Sequence, residues 1–515
     1  MKPARLVNGF MTVGLWTLVS RVMGFARDMM IAAYLGTGPI AEAFLIAFSL
    51  PNMFRRFFAE GAFNMAFVPM FSKRLESGDD PNGFARDAFT GLATVLIGFT
   101  VVAMLFMPAL VLLMASGFAG DERFELSVLF GRIAFPYILF ISLAALLSGV
   151  LNSAGRFVAA AAAPVLLNLF FISALVIGDL LGWDTGLTLA WTVPIAGFGQ
   201  FALVWMAAKR AGFTIVPKRP RLTPDLKRLA IIAAPAALAG GVVQINLLVG
   251  RQVSSFFDGA VAWLSYADRL YQLPLGVVGI AVGVVLLPEL SRRLRAGDTV
   301  GGRDAFNRAT EFSLMLTVPA AAALVAIPVP LVETLFERGA FTDKDTLNTA
   351  LAVAVYGLGL PAFVLQKSLQ PLFFAREDTK RPFYAALFSM VVNAGLAIGL
   401  SAQIGFIAAA VGTTLSGWAT VVVLWVWSRG YGDAATFDTR LKKRAWRILL
   451  SSVFMGMILW ICSDILHMFF EMMGLKELAL LLLIFLGFLS YFGIGQTIGA
   501  FQLSEIKGFV RRRQR

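Results

Sequence analysis

The chain has one cysteine, Cys462, and one histidine, His467, in 515 residues. A lone thiol excludes an internal disulfide and a multi-cysteine metal site. A lone imidazole excludes H-E-x-x-H, which needs two, and with no partners at useful spacing it argues against a Ser–His–Asp set. No G-x-x-x-x-G-K-[ST] stretch is present, so no ATP engine is visible. Paired catalytic carboxylates in a soluble domain are missing too. The expectation is a protein that is not an enzyme and needs no cofactor or metal. Charge is also scarce: only 15% of residues are Asp, Glu, Lys or Arg. Acids are scarcer than bases, 31 against 44, for a net charge of +13.

What the sequence has in abundance is apolar residues, 58% of the total. They fall in repeated runs of about 20, the length needed to cross roughly 30 Å of hydrocarbon. The runs do not alternate polar and apolar positions, so they read as helices and not as barrel strands. About fourteen spans result: 9–33, 39–71, 88–114, 125–151, 157–181, 187–208, 226–256, 260–291, 305–336, 346–375, 382–401, 405–428, 446–466 and 476–502. The first, after Lys2 and Arg5, imitates a signal peptide but lacks an A-x-A site and contains Arg21, so it reads as uncleaved. Even-numbered loops are basic ("SKRLESGDDPNGFARD", "KRAGFTIVPKRPRLTPDLKR", "RLKKRAWR"), whereas odd-numbered ones are acidic or mixed ("DERFE", "FTDKD"). The positive-inside rule then places both termini in the cytoplasm of a multi-pass inner-membrane protein. The same rule accounts for the basic balance without invoking nucleic acid.

A repeat is visible. "VPMFSKRLESG" (68–78) returns as "LPELSRRLRAG" (287–297), and "RDAF" at 86 returns at 303. Pro136 pairs with Pro361, Arg156 with Arg381 and Asn168 with Asn393, all at an offset of about 220 residues. Each copy holds six spans, an even number, so both enter the membrane in the same sense. The expected fold is all-α: a lobe over 1–210, a second over 211–430, and two further spans with a basic tail over 431–515. Paired lobes suggest a transporter working by alternating access.

Charges also stand inside spans. Arg21, Arg27 and Asp28 lie in the first, Glu42, Arg55, Arg56 and Glu60 in the second, Asp268 and Arg269 in the eighth, and Lys367 in the tenth. Each arginine at mid-membrane costs roughly 2.5–3.5 kcal/mol on an insertion scale, so these groups must face protein or water. Pairing is one outlet, since Arg56 and Glu60 are spaced to meet on one helical face. Arg132 and Arg251, near external span ends, read as snorkelling. The other outlet is a polar cavity lined by Arg21, Arg27, Arg55 and Arg269, with Arg56 and Lys367 as further candidates. Guanidinium forks in a solvated pocket select an anion, a phosphate or pyrophosphate above all. Gly24, Pro51, Gly61, Pro274 and Gly276 are candidate bend points, or ordinary packing positions.

Four stretches, "SRVMGFARDMMIAAYLGTGP", "LPNMFRRFFAEGAFNMAFVP", "FPYILFISLAALLSGVLNS" and "YADRLYQLPLGVVGIAVGVVLLPELS", resemble the MurJ (MviN) family of lipid II flippases. That family lies in the multidrug/oligosaccharidyl-lipid/polysaccharide exporter superfamily. The resemblance implies two six-helix lobes plus two helices that form a groove for the polyprenyl tail. It implies transfer of lipid-linked peptidoglycan precursor to the periplasmic leaflet, with lipid II, membrane lipids and cell-wall synthesis proteins as partners. By motif position it assigns Arg21, Arg27, Arg55 and Arg269 to the pyrophosphate, with Glu42, Asp268 and Lys367 beside them. Glu42 stands where relatives carry aspartate, and Ser49 where some carry lysine. Two alternatives stay open: a flippase for another polyprenyl-pyrophosphate glycan, and an ion-coupled drug antiporter, which would tolerate loss of the arginines.

Overall fold

The computed structural model describes residues 3–55, 58, 62–281, 286–471 and 475–502. Among the described residues every regular element is helical. In chain order the α-helices are α1 (Pro3–Leu35), α2 (Pro39–Arg55), α3 (Ala62–Ser77), α4 (Pro81–Leu105), α5 (Met107–Met114), α6 (Glu122–Ala134), α7 (Tyr137–Ser153), α8 (Val158–Leu180), α9 (Thr185–Arg210) and α10 (Pro224–Ser254). They continue as α11 (Ala260–Ala281), α12 (Leu287–Arg295), α13 (Thr299–Ala326), α14 (Pro328–Phe336), α15 (Asp343–Phe374), α16 (Lys380–Ile404), α17 (Ile407–Ser428), α18 (Thr439–Glu471) and α19 (Lys476–Thr497). Each of the fourteen expected spans meets one of these helices or a consecutive pair. Ten stretches of the described residues are long and apolar enough to cross a membrane. Three of the other four expected spans, around α1, α2 and α11, carry all the charges named at depth except Lys367.

Loop residues read for topology also start the helices. Asp80 Oδ1 accepts from Gly83 N at 2.9 Å ahead of α4, and Asp298 Oδ1 accepts from Gly301 N at 2.7 Å ahead of α13. Asp121, Asp184 and Thr223 cap α6, α9 and α10 in the same way, and Thr342 with Asp345 forms a capping box on α15. Such caps satisfy backbone N–H groups that no helix can satisfy itself.

The duplication is written in the backbone. Left-handed turns end the first six spans at Gly36, Gly78, Gly120, Gly155, Gly182 and Gly212. The next six end at Gly259, Gly297, Gly339, Glu377, Gly405 and Gly432, in the same order and at the same offset of about 220 residues. A left-handed stop after a helix favours glycine; Glu377 is the one substitute in the series. Both copies also carry a cation over a tryptophan one turn before the sixth stop: Lys209 lies 5.8 Å from the Trp205 ring and Arg429 4.1 Å from Trp425.

Packing divides the chain into two units, 1–262 with 338–341, and 263–337 with 342–515. Helix α10 opens the second sequence repeat yet packs in the first unit. Its two ends explain why. Arg74 on α3 holds Asp225 at 2.8 Å. At the other end the Gln252 carboxamide accepts from Ser116 N and Oγ and donates to the carbonyls of Leu112 and Leu113. In the first unit, Phe67, Phe71, Phe84 and Phe89 build one core between α3, α4, α7 and α9, and Phe44, Phe130, Tyr137 and Phe171 build another. In the second unit, α18 and α19 pack on α13 through Met315, Ile448, Leu459, Tyr491 and Phe501, with the Tyr491 hydroxyl donating to Met315 O at 2.8 Å.

Candidate functional site

Of the four arginines assigned to an anion, Arg27 is the buried one. It and Asp28 lie on α1, 8% and 9% exposed. Arg27 Nε and Nη2 donate to Asp28 Oδ1 at 3.1 and 2.7 Å, and Nη1 donates to Asn168 Oδ1 on α8 at 3.0 Å. Its guanidinium carbon lies 5.4 Å from the Phe171 ring centre, one turn along the same face of α8. Asn168 Nδ2 donates in turn to Ser20 O on α1 at 2.9 Å. Arg21, on the same helix, is exposed, whereas Arg55, the last residue of α2, is half-buried. A Cβ at Gly24 would meet Asn168 Nδ2 at 3.5 Å, an ordinary contact.

Glu42 is tied down elsewhere in the first unit. One carboxylate oxygen accepts from Arg123 Nη1 at 3.0 Å and the other from Val261 N at 3.0 Å. Arg123 also binds Asp121 at 2.5 Å and Asp258 at 3.1 Å, and its guanidinium lies 4.5 Å from the Phe118 ring centre. Glu42 is 1% exposed. Its carboxylate is the hub of a network at the ends of α2, α6 and α11, and is engaged on both oxygens. Ser49 Oγ donates to Leu45 O at 2.6 Å, so this hydroxyl bonds back into its own helix.

In the second unit, Asp268 is half-buried and Arg269 exposed on α11, and Lys367 is exposed on α15. Gln272 donates to Asp268 one turn on. Tyr271 packs at a tilt against Tyr356 and Phe363 of α15, with ring centres 5.0 and 5.6 Å apart. Pro51 and Pro274 lie inside α2 and α11, where each removes one backbone hydrogen bond. Arg56, Glu60 and Gly61 lie outside the described residues, as does the side chain of His467. Arg132 is exposed, and its Nε donates to Met104 O at 3.2 Å.

The structure thus joins Arg27 to three residues that sequence reasoning left out of the site: Asp28, Asn168 and Phe171. Asn168 gave a readable signal. It is a single amide in the middle of the apolar run 158–172, at a matched position of the repeat. Arg123 gave less, because its partner Glu42 is 81 residues away. Among the described residues no group of His, Cys, Asp or Glu could hold a metal ion. The chemistry on display is that of fixed guanidinium donors, suited to an oxyanion with several acceptor oxygens.

Comparison with known proteins points the same way. A family model described as "Lipid II flippase MurJ" matches residues 31–480. The chain is 45% identical to a probable lipid II flippase MurJ of Rhizobium meliloti, over 98% of this chain and 96% of that protein. It is 37% identical to the lipid II flippase MurJ of Burkholderia cenocepacia, over 75% and 77%. Among solved structures, a lipid II flippase MurJ in an inward closed conformation aligns with TM-score 0.79 at 26% identity, covering 94% of this chain and 98% of that one. An inward-facing multidrug resistance transporter of the MATE family shares the fold at TM-score 0.66 and 15% identity, covering 81% and 95%.

Proposed function

The chain belongs to the MurJ family of lipid II flippases, and on that premise we propose how its residues carry the flippase activity. The protein is a multi-pass membrane transporter that moves lipid II, the polyprenyl-pyrophosphate-linked peptidoglycan precursor, across the bilayer. Arg21, Arg27, Arg55 and Arg269 bind the pyrophosphate, with Asp268 and Lys367 beside them. Glu42 and Arg123 act instead as a structural tie. The observation that carries this reading is Arg27: a guanidinium held by an amide, a carboxylate and a ring, whose three hydrogen bonds from Nε, Nη1 and Nη2 leave one N–H on each terminal nitrogen. That is the number a bidentate phosphate contact uses.

The headgroup enters from the cytoplasmic side while the tail stays in lipid, and the lobes alternate in exposing it. The basic even-numbered loops support cytoplasmic termini in a bacterial inner membrane. An inside-negative potential favours outward movement of an anion by about 2.3 kcal/mol per charge per 100 mV if the whole field is crossed. Likeness to the MATE transporter supports the fold alone, and the buried arginine argues against a site for cationic drugs. Cells depleted of this protein, with no second flippase, test the reading. Arg27→Ala supplied in trans leaves outer-leaflet lipid II unlabelled if the reading holds. Labelling at the wild-type level would remove the pyrophosphate role.

A further inference from the structure

We propose that Asn168 is a positioning residue for lipid II binding: its carboxamide orients Arg27 toward the pyrophosphate. The inference rests on the role just given to Arg27. Four observations carry it. Asn168 is 4% exposed, in the apolar middle of α8, where an amide without partners costs several kcal/mol relative to a leucine. Both ends of the carboxamide are used, Oδ1 accepting from Arg27 and Nδ2 donating to Ser20 O, so the amide cannot flip without setting two donors face to face. Ser20 O is the carbonyl one turn before Gly24, and Gly24 presents bare backbone 3.5 Å from Nδ2 at its Cβ position. The amide is therefore pinned to the same helix whose arginine it orients. Phe171, one turn further on α8, closes the face of the guanidinium.

The consequence for binding is specific. Asp28 alone holds Nε and Nη2 through one oxygen. A guanidinium held only there can swing about that pivot and turn its remaining N–H groups away from the substrate. Asn168 fixes Nη1 as a third point and removes that freedom. It does so without a second negative charge, which would compete with the pyrophosphate. Aspartate at this position would bind Arg27 more tightly and weaken substrate binding; leucine, of equal shape, would leave Arg27 free to swing.

A double-mutant cycle with the full-length protein in nanodiscs, and lipid II as the probe, tests this. Asn168→Leu is expected to weaken lipid II binding about tenfold with little change in melting temperature, since leucine suits an apolar helix; tenfold corresponds to about 1.4 kcal/mol. In an Arg27→Ala background the same substitution is expected to change nothing further. Asn168→Ala repeats the cycle, so that poor folding of one variant leaves the other. Equal losses with and without Arg27 would overturn the proposal, because Asn168 would then be a plain tie between α1 and α8. Wild-type binding by Asn168→Leu would also overturn it. Wild-type binding by Arg27→Ala alone would instead overturn the functional reading on which the proposal stands, so the two failures are distinct.

Discussion

The two repeats carry a matched asparagine that is buried in both. Asn168 on α8 faces α1 and holds Arg27. Asn393 on α16, about 220 residues later, is equally buried but packs against α17, where a Cβ at Gly412 would lie 2.8 Å from its Oδ1. The turns, the caps and the inner tryptophan–cation pairs are shared by both copies. The duplicated frame fixes where helices stop, and in the first copy one frame residue holds a buried arginine. The frame tolerates this because a lone amide needs only a polar partner on whichever helix adjoins it.

Breaking the buried charge hubs gives the largest expected effects. Arg27→Ala is expected to lower lipid II transport at least about a hundredfold, a loss of roughly 2.7 kcal/mol or more of substrate stabilisation, read as flux into the opposite leaflet. Each packing unit also has a buried acid paired with arginine. In the second unit, Glu311 on α13 binds Arg308, Arg440 at 3.2 Å and Arg444 at 2.5 Å, and so ties α18 to α13. Removing it takes one charged partner from each of three arginines, and Glu311→Ala is expected to cost about 1–3 kcal/mol of stability. Glu42→Ala in the first unit should cost a similar amount through Arg123. Thermal unfolding in detergent checks both. Glu311 loss is expected to loosen α18 and α19 first, exposing Cys462 to thiol reagents sooner than Glu42 loss does.

The matched asparagines sharpen the comparison at smaller scale. Gly412→Ala drives a methyl to 2.8 Å from Asn393 Oδ1 and 3.0 Å from its backbone oxygen, and is expected to destabilise by about 1–3 kcal/mol. Gly24→Ala meets Asn168 at ordinary contact distance, so helix propensity dominates and the variant is expected to be neutral or up to about 1 kcal/mol more stable. A large loss at Gly24 would show that α1 needs a glycine there to bend. The smallest effect is expected at Glu377, where φ is 60°. Glu377→Gly restores the residue used at the other eleven stops and should raise stability by no more than about 1 kcal/mol. Beside it, the Tyr431 hydroxyl and the Arg381 N–H hold the Asp378 carboxyl below its usual range. The stability it adds is present above its ordinary value of 3.8 and fades as pH falls through the lower folded value. Asp378→Asn should therefore lower stability slightly at neutral pH, where the carboxylate is charged, and flatten the acid sensitivity below about pH 4.

Much of the frame was legible in the sequence. All fourteen spans correspond to helices, because twenty apolar residues must be helical in lipid. The repeat was readable from a few short matches, and the left-handed stops extend it to every span of both copies. Site chemistry was legible only as residue type. Arginines at depth announce an anion, but the partners that hold them lie far along the chain: Asn168 is 141 residues from Arg27, and Arg123 is 81 from Glu42. No local spacing encodes such pairs. Helix α10 opens the second sequence repeat, yet the polar ties at its two ends reach residues more than a hundred positions earlier, which no local pattern announces.

The central claim is that a guanidinium fixed in the first unit grips the pyrophosphate of lipid II in transit. Purified protein in sealed vesicles, with lipid II loaded in one leaflet, tests it most directly by the rate at which lipid II reaches the other. Arg27→Ala vesicles are predicted to match protein-free vesicles while the variant keeps the wild-type melting temperature to within a few degrees. Wild-type flux from that folded variant would contradict the claim.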